Sequence, residues 1–145
     1  MTVQEIKDLN NIKYPNDPKA DSASYIEEHK VNDYFIIVTG PIGCGKFAKY
    51  YTKSEVIYKC ENILQVSDLI TDFEFKDKKP TFFPSDFTKC SAVGGTVILY
   101  DLNLLSDKIL EFLLEATDPE KNKSIHPDFK IIGIMTPGYY LSKWW

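Results

Sequence analysis

Arginine is absent from this chain: all 17 basic residues are lysines. A guanidinium fork is the usual tool for bidentate phosphate clamping and for arginine fingers, so neither can be supplied from within. Histidine is scarce, and the three cysteines, Cys44, Cys60 and Cys90, are widely spaced with no metal-ligand rhythm. Reduced thiols and no metal site are therefore expected. His126 precedes Pro127 with no Cys or second His nearby, which points to a structural role, and His29 reads as a surface helix residue. No apolar run approaches the roughly 20 residues of a membrane helix, so no membrane partner is expected. The opening MTVQEIKDLN has no charged-then-apolar leader pattern, which favours a cytoplasmic or nuclear setting. A net charge of -4 argues against a nucleic-acid partner held through phosphate contacts.

What is present suits a single soluble domain. The 145 residues are 43% hydrophobic and 14% aromatic, enough for a real core. Residues 1–33 read as a polar N-terminal extension, with short helices at Thr2 to Leu9 and around Ala23 to His29 and a punctuated loop from Tyr14 to Ser22. From Tyr34 onward, apolar runs alternate with helical patterns. Tyr34 to Val38, Val56 to Tyr58, Thr96 to Leu99 and Phe129 to Met135 read as strands. Helices are expected from Lys46 to about Thr52, as a turn at Val66 to Thr71, and from Ser106, as cap, to Ala116. Lys76 to Lys79 reads as a solvated loop, as do the other charge runs. The terminal pair Trp144-Trp145 is costly to leave in water, so packing on this domain or a partner is expected. Strands alternating with helices imply a parallel α/β sheet, in which ligands sit beyond the carboxyl ends of the strands.

Three positions fall just after strand ends. The first is the loop Gly40-Pro41-Ile42-Gly43-Cys44-Gly45-Lys46, which fits G-x-x-x-x-G-K, with Phe47 where Ser or Thr should follow. Glycines let backbone N–H groups close around phosphate oxygens, and the following helix start favours an anion. Lys46 would reach the β- and γ-phosphates, while the absent hydroxyl would hold Mg²⁺. Cys44, beside Lys46 and a helix start, reads as a passive loop residue. The other two strand-end positions are Tyr100-Asp101 and Thr136.

The stretch from Tyr34 to Pro137 resembles AAA+ ATPase modules of the midasin, dynein and MoxR-like branch. Gly40 to Lys46 stands as the phosphate loop, and Val66 to Ile70 looks like the Asp-Leu-Ile-Gly segment after the second strand, with Thr71 in place of the glycine. Gly94 to Leu104, GGTVILYDLNL, looks like the Walker B strand with its Leu-Asn-Leu continuation. Ser124 to Pro137, SIHPDFKIIGIMTP, looks like the His-Pro-Asx-Phe lead into the sensor strand. The resemblance implies a P-loop NTPase core over residues 34–145, a parallel sheet flanked by helices. The family's fifth strand and helical lid have no room before Trp145. The first strand would then lie at an open sheet edge, needing a partner or residues 1–33 as cover.

Carried over residue by residue, Leu102-Asn103-Leu104 puts Tyr100 at the magnesium-supporting Asp and Asp101 at the water-activating Glu. A one-residue shift would make Asp101 the metal support and Leu102 the missing base. Either way one acidic group is gone, and Thr136 replaces the sensor Asn. The resemblance thus implies a nucleotide-binding module for ATP or ADP, with Mg²⁺ left open and hydrolysis weak or lost. Its expected partners are other AAA+-like subunits or domains of a larger assembly. An ATPase completed by a neighbouring subunit and a small nucleotide kinase are the alternatives; a kinase would need the missing Arg.

Overall fold

The apolar runs do become strands. The computed structural model describes residues 1–15, 21–51 and 56–138, so the expectation for Trp144-Trp145 lies outside the described residues. Among the described residues, seven strands and five α-helices run in the order α1 (Val3–Asp8), β1 (Glu27–Asn32), β2 (Phe35–Thr39), α2 (Lys46–Tyr50), β3 (Val56–Lys59), α3 (Val66–Ile70), β4 (Thr71–Lys76), β5 (Lys79–Pro84), α4 (Asp86–Val93), β6 (Gly95–Tyr100), α5 (Asp107–Ala116) and β7 (Phe129–Met135). The main sheet has the order β1-β2-β7-β6-β3. β2, β7, β6 and β3 are parallel, with Phe35 opposite Ile131, Val97 opposite Ile131 and Val56 opposite Val97. The class is α/β, a mostly parallel mixed sheet flanked by helices.

Residue alternation along the central strands builds two unequal cores. Phe35, Ile37, Val97, Leu99, Phe129, Ile131 and Met135 join Ile6, Leu69, Phe87, Ile109 and Leu113 in the larger one. Val38, Ile98, Ile132 and Ile134 face the other way, against Ile26, Ile36 and the α2 side chains Phe47 and Tyr50. Gly133 sits in β7 because a Cβ there would lie 2.8 Å from Leu102 Cδ2 and 3.3 Å from Phe35 Cε1. That glycine lets the turn after β6 press onto the middle of the sheet.

The N-terminal segment departs most from expectation. The helix expected around Ala23 to His29 is a 3-10 turn, Ser22–Tyr25, followed by the strand β1. β1 pairs antiparallel with β2, Glu27 opposite Thr39 and Asn32 opposite Phe35, and so covers the edge that would otherwise be open. The unpaired N–H and C=O groups of β2 outweigh the mild local helix preference of Tyr25-Ile26-Glu27-Glu28. His29 is accordingly a half-buried strand residue with Nε2 2.8 Å from Thr39 Oγ1, not a surface helix residue. At the same time α1, capped by a Thr2/Glu5 capping box, places Ile6 fully inside the core. Residues read as a polar extension thus contribute a core side chain, Ile6, and the edge strand β1.

The Lys76 to Lys79 loop is likewise the tip of a hairpin. β4 and β5 pair from Thr71 opposite Pro84 to Lys76 opposite Lys79. Asp77 and Lys78 both have positive φ, 53° and 66°, as a two-residue type I′ hairpin turn requires. Its aromatic face, Phe73, Phe75 and Phe82, is exposed. His126 Nδ1 accepts from Asp128 N–H at 3.0 Å, a bond that ties down the entry to β7.

If residues 1–33 are integral, Ile6→Ala should destabilise by about 2–5 kcal/mol in urea unfolding, the range for a truncated core isoleucine. A change under about 0.5 kcal/mol, typical of a surface position, would show that α1 merely rests on the domain.

Candidate functional site

β2 ends at buried Thr39, and after Gly40, also buried, the chain folds back over its own lysine. A Cβ on Gly40 would stand 2.7 Å from Cys44 Sγ and 3.0 Å from Lys46 Cδ, so only glycine allows this closeness. The turn is closed by Cys44 N–H donating to Pro41 O at 3.3 Å. Gly43 and Gly45 take φ of 76° and 87°, and Gly45 is the N-cap of α2. Ile42 is 72% exposed at the tip while Cys44 is buried, so the loop is a shallow arch with a sulfur packed beneath it. α2 is short, and its first residue is Lys46.

Lys46 is the unusual group. Its side chain is only 7% exposed, yet it carries an ammonium. Nζ donates to Pro41 O at 3.0 Å and lies 3.8 Å from Cys44 Sγ. Burial pushes its pKa below the ordinary 10.5, with Cys44 and the Asp101 carboxylate acting in the opposite direction. A buried ammonium held by one carbonyl and one thiol is poorly compensated, and an anion beside it would restore the lost solvation.

Phe47 turns the other way. Its ring stacks on Tyr51, centroids 5.3 Å apart, and meets Tyr100 edge-on at 5.5 Å and 83°. The first residue after the glycine loop's lysine and the last residue of β6 are thus joined by an aromatic contact. Such offset and T-shaped pairs are the favoured ring geometries, worth about 0.5–1.5 kcal/mol beyond area burial. Tyr50, one turn along, donates its hydroxyl to Glu28 of β1, so α2 is tied to the edge strand as well.

The three strand-end positions share one edge, because β2, β7 and β6 are adjacent and parallel. Asp101 directly follows β6 in the left-handed conformation, φ 62° and ψ 52°. Asp tolerates that region better than most residues, and strain of this kind gathers at functional turns. Its charge reaches Lys46 on one side and Cys60 on the other; the Cys60 thiol is pushed up by burial first and by Asp101 second. Thr136 follows β7, and its carbonyl accepts from Asn103 Nδ2 at 3.1 Å. The backbone, then, is what ties Thr136 to the turn after Asp101. Cys44, Cys60 and Cys90 are all free thiols.

Two contacts here are not visible in the sequence. Tyr100 reads as a strand-end residue at an acidic position of the resemblance, and nothing along the chain signals that its ring meets Phe47. Asn103 sits inside the quoted Leu-Asn-Leu run, but its bonds to Thr136 and to Asn10 cross more than thirty and ninety residues of chain.

The loop geometry predicts two separable costs. Gly45→Ala meets nothing within 4 Å, so its effect is backbone strain alone, about 1–2 kcal/mol in urea unfolding. Gly40→Ala must displace Cys44 or Lys46 and should cost about 1–3 kcal/mol by crowding. Equal stability of both variants with the wild type would mean the loop is not held in this shape. No protein-family model and no curated protein sequence matches this chain.

Proposed function

We propose that this chain is a nucleotide-holding, AAA+-like P-loop module whose metal-dependent chemistry has been replaced by packing. The observation that carries the proposal is the edge-on contact of Phe47 with Tyr100. In the resemblance, these two positions are the hydroxyl that holds Mg²⁺ and the acid that supports it. Both are aromatic here, and they touch. Two side chains that would ordinarily converge on a cation converge on each other, and neither offers a charged oxygen. This contact also favours the alignment that puts Tyr100, not Asp101, at the metal-supporting position.

The residues fit a phosphate and do not fit the metal. Gly43 and Gly45 bend the backbone as anion-cradling turns do, and Lys46 is a buried cation with weak compensation. A phosphate oxygen carries more charge than the Pro41 carbonyl and would displace it as the Lys46 partner. Hydrolysis, by contrast, rests on positioning and charge stabilisation, and this chain brings neither an Arg nor a metal-holding pair to that task. ATP or ADP would serve as a ligand that stiffens the loop after β2. The stiffened edge would be offered to AAA+-like subunits or domains of a larger assembly. A working ATPase would require a neighbour to supply both the cation and its ligands.

Titration calorimetry with ATP and with ADP, in EDTA and in Mg²⁺, tests this. Affinity should be the same with and without the metal, and Lys46→Ala should weaken it about tenfold, the value of one charge-assisted bond. The paired change Phe47→Ser with Tyr100→Asp should introduce a Mg²⁺ requirement that the wild type lacks. Alkaline pH gives a further sign. An anion favours charged Lys46 and raises its lowered pKa, so binding takes up a proton. Affinity should therefore fall as pH rises through a value below 10.5. Metal-dependent turnover by the wild type, or equal binding by Lys46→Ala, would refute the reading.

A further inference from the structure

The hairpin of β4 and β5 is a sheet of two strands, and among the described residues no third strand joins it. Residues opposite one another share a face, so Phe73, Phe75, Pro80 and Phe82 form one side. Asp72, Glu74, Lys76, Lys79 and Thr81 lie on the other. The aromatic side is open, with Phe73, Phe75 and Phe82 exposed by 57%, 70% and 67%. Contiguous exposed rings mark an interaction surface, where scattered ones would not. A ribbon of two strands is also marginal in water and gains from a further strand.

The backbone shows which edge is available. A two-residue hairpin hydrogen-bonds its closing pair, here Lys76 and Lys79, and every second pair from there. The backbone groups of Thr71, Phe73 and Phe75 on β4, and of Pro80, Phe82 and Pro84 on β5, therefore point outward. Proline removes two of the three outward donors of β5, a common way of closing an edge. All three remain on β4. That edge is built to accept a strand.

The two ends of the hairpin are complementary in charge. The tip carries Lys76, Lys78 and Lys79 against a single Asp77. Beside the foot lies a recess of about 420 Å³ lined by Asn62, Gln65, Ser67, Asp68 and Asp72, and no basic side chain among the described residues lines it. Antiparallel pairing of β4 with a copy of itself, Thr71 opposite Asp77, brings each cationic tip to the other's acidic foot. The same register sets Phe73 opposite Phe75 and Asp72 opposite Lys76, each twice by two-fold symmetry. The one like-charge meeting is Glu74 with its mate, and each Glu74 keeps its own Lys76 at 3.3 Å.

We infer that β4 is a self-association edge, at which two copies of this chain pair to form one four-stranded sheet. The two aromatic faces then merge, with Phe73 of each copy beside Phe75 of the other. The edge shares no residue with the glycine loop, so it stands whether or not that loop holds a nucleotide.

Sedimentation velocity of the full chain at rising concentration should show a reversible monomer–dimer equilibrium, since a contact below about 1,200 Å² is of the weak, transient class. In amide hydrogen exchange, Phe73 and Phe75 should gain protection as the dimer fills, because their N–H groups face outward in the monomer. Asp72→Lys sets lysine against Lys76 of the second copy, and Lys76→Glu sets glutamate against Asp72. Each variant alone should dimerise at least about tenfold more weakly, and an equal mixture of the two should restore the dimer as a mixed pair. A wild type still monomeric at about 1 mM, Phe73 and Phe75 amides that exchange alike in monomer and dimer, or a mixture no tighter than its parts would overturn the inference. The first two outcomes decide it even if a variant fails to fold.

Discussion

The chain after β2 closes onto a cation that it has itself buried. Lys46 is pinned beneath the arch from Gly40 to Gly45, its ammonium on the Pro41 carbonyl and its stem against the bare α-carbon of Gly40. That single arrangement requires the glycines, fixes where α2 begins, and sets the direction in which Phe47 must leave the loop. It also keeps an under-solvated charge at the carboxyl edge of the sheet, beside the Asp101 turn. Desolvation lowers the lysine's pKa; the nearby carboxylate only partly opposes it. On the proposed reading the arch over this destabilised cation holds an anion, and the nucleotide proposal rests on that imbalance.

On the proposed reading, packing stands where a metal would be served. The ring of Phe47 is held by Tyr51 and by Tyr100, and it packs against the aliphatic cluster on the smaller face of the sheet. Exchanging two oxygen ligands for two rings turns a hydrated ion site into a small extension of the core. The exchange is self-consistent when both sides change, because a lone Phe beside an Asp would lose the edge-on ring contact. On the proposed reading, the two departures from the family pattern are one structural event.

Much of this was legible in the chain, for a physical reason. Strands buried on both faces show as unbroken apolar runs, so Tyr34 to Val38, Thr96 to Leu99 and Phe129 to Met135 were placed within a residue or two. The glycine loop announces itself because its backbone needs residues without a Cβ. The edge strand β1 did not show, since Glu27-Glu28-His29-Lys30 is polar and becomes a strand only because β2 has groups to pair. The hairpin of β4 and β5 hid behind Asp77-Lys78, which adopts the turn without the Asn-Gly signal that would reveal it. At the site, the residue types were readable, while the Phe47–Tyr100 and Asn103–Thr136 contacts join stretches far apart in sequence and follow only from strand order.

Phosphorus NMR of ATP in EDTA, titrated with the protein, probes the central claim most directly. A phosphate seated on the arch and Lys46 should show saturable β- and γ-phosphorus shifts that disappear in Lys46→Ala, with no inorganic phosphate accumulating after Mg²⁺ is added. Unshifted phosphorus signals at saturating protein, or steady release of inorganic phosphate once the metal is present, would contradict it.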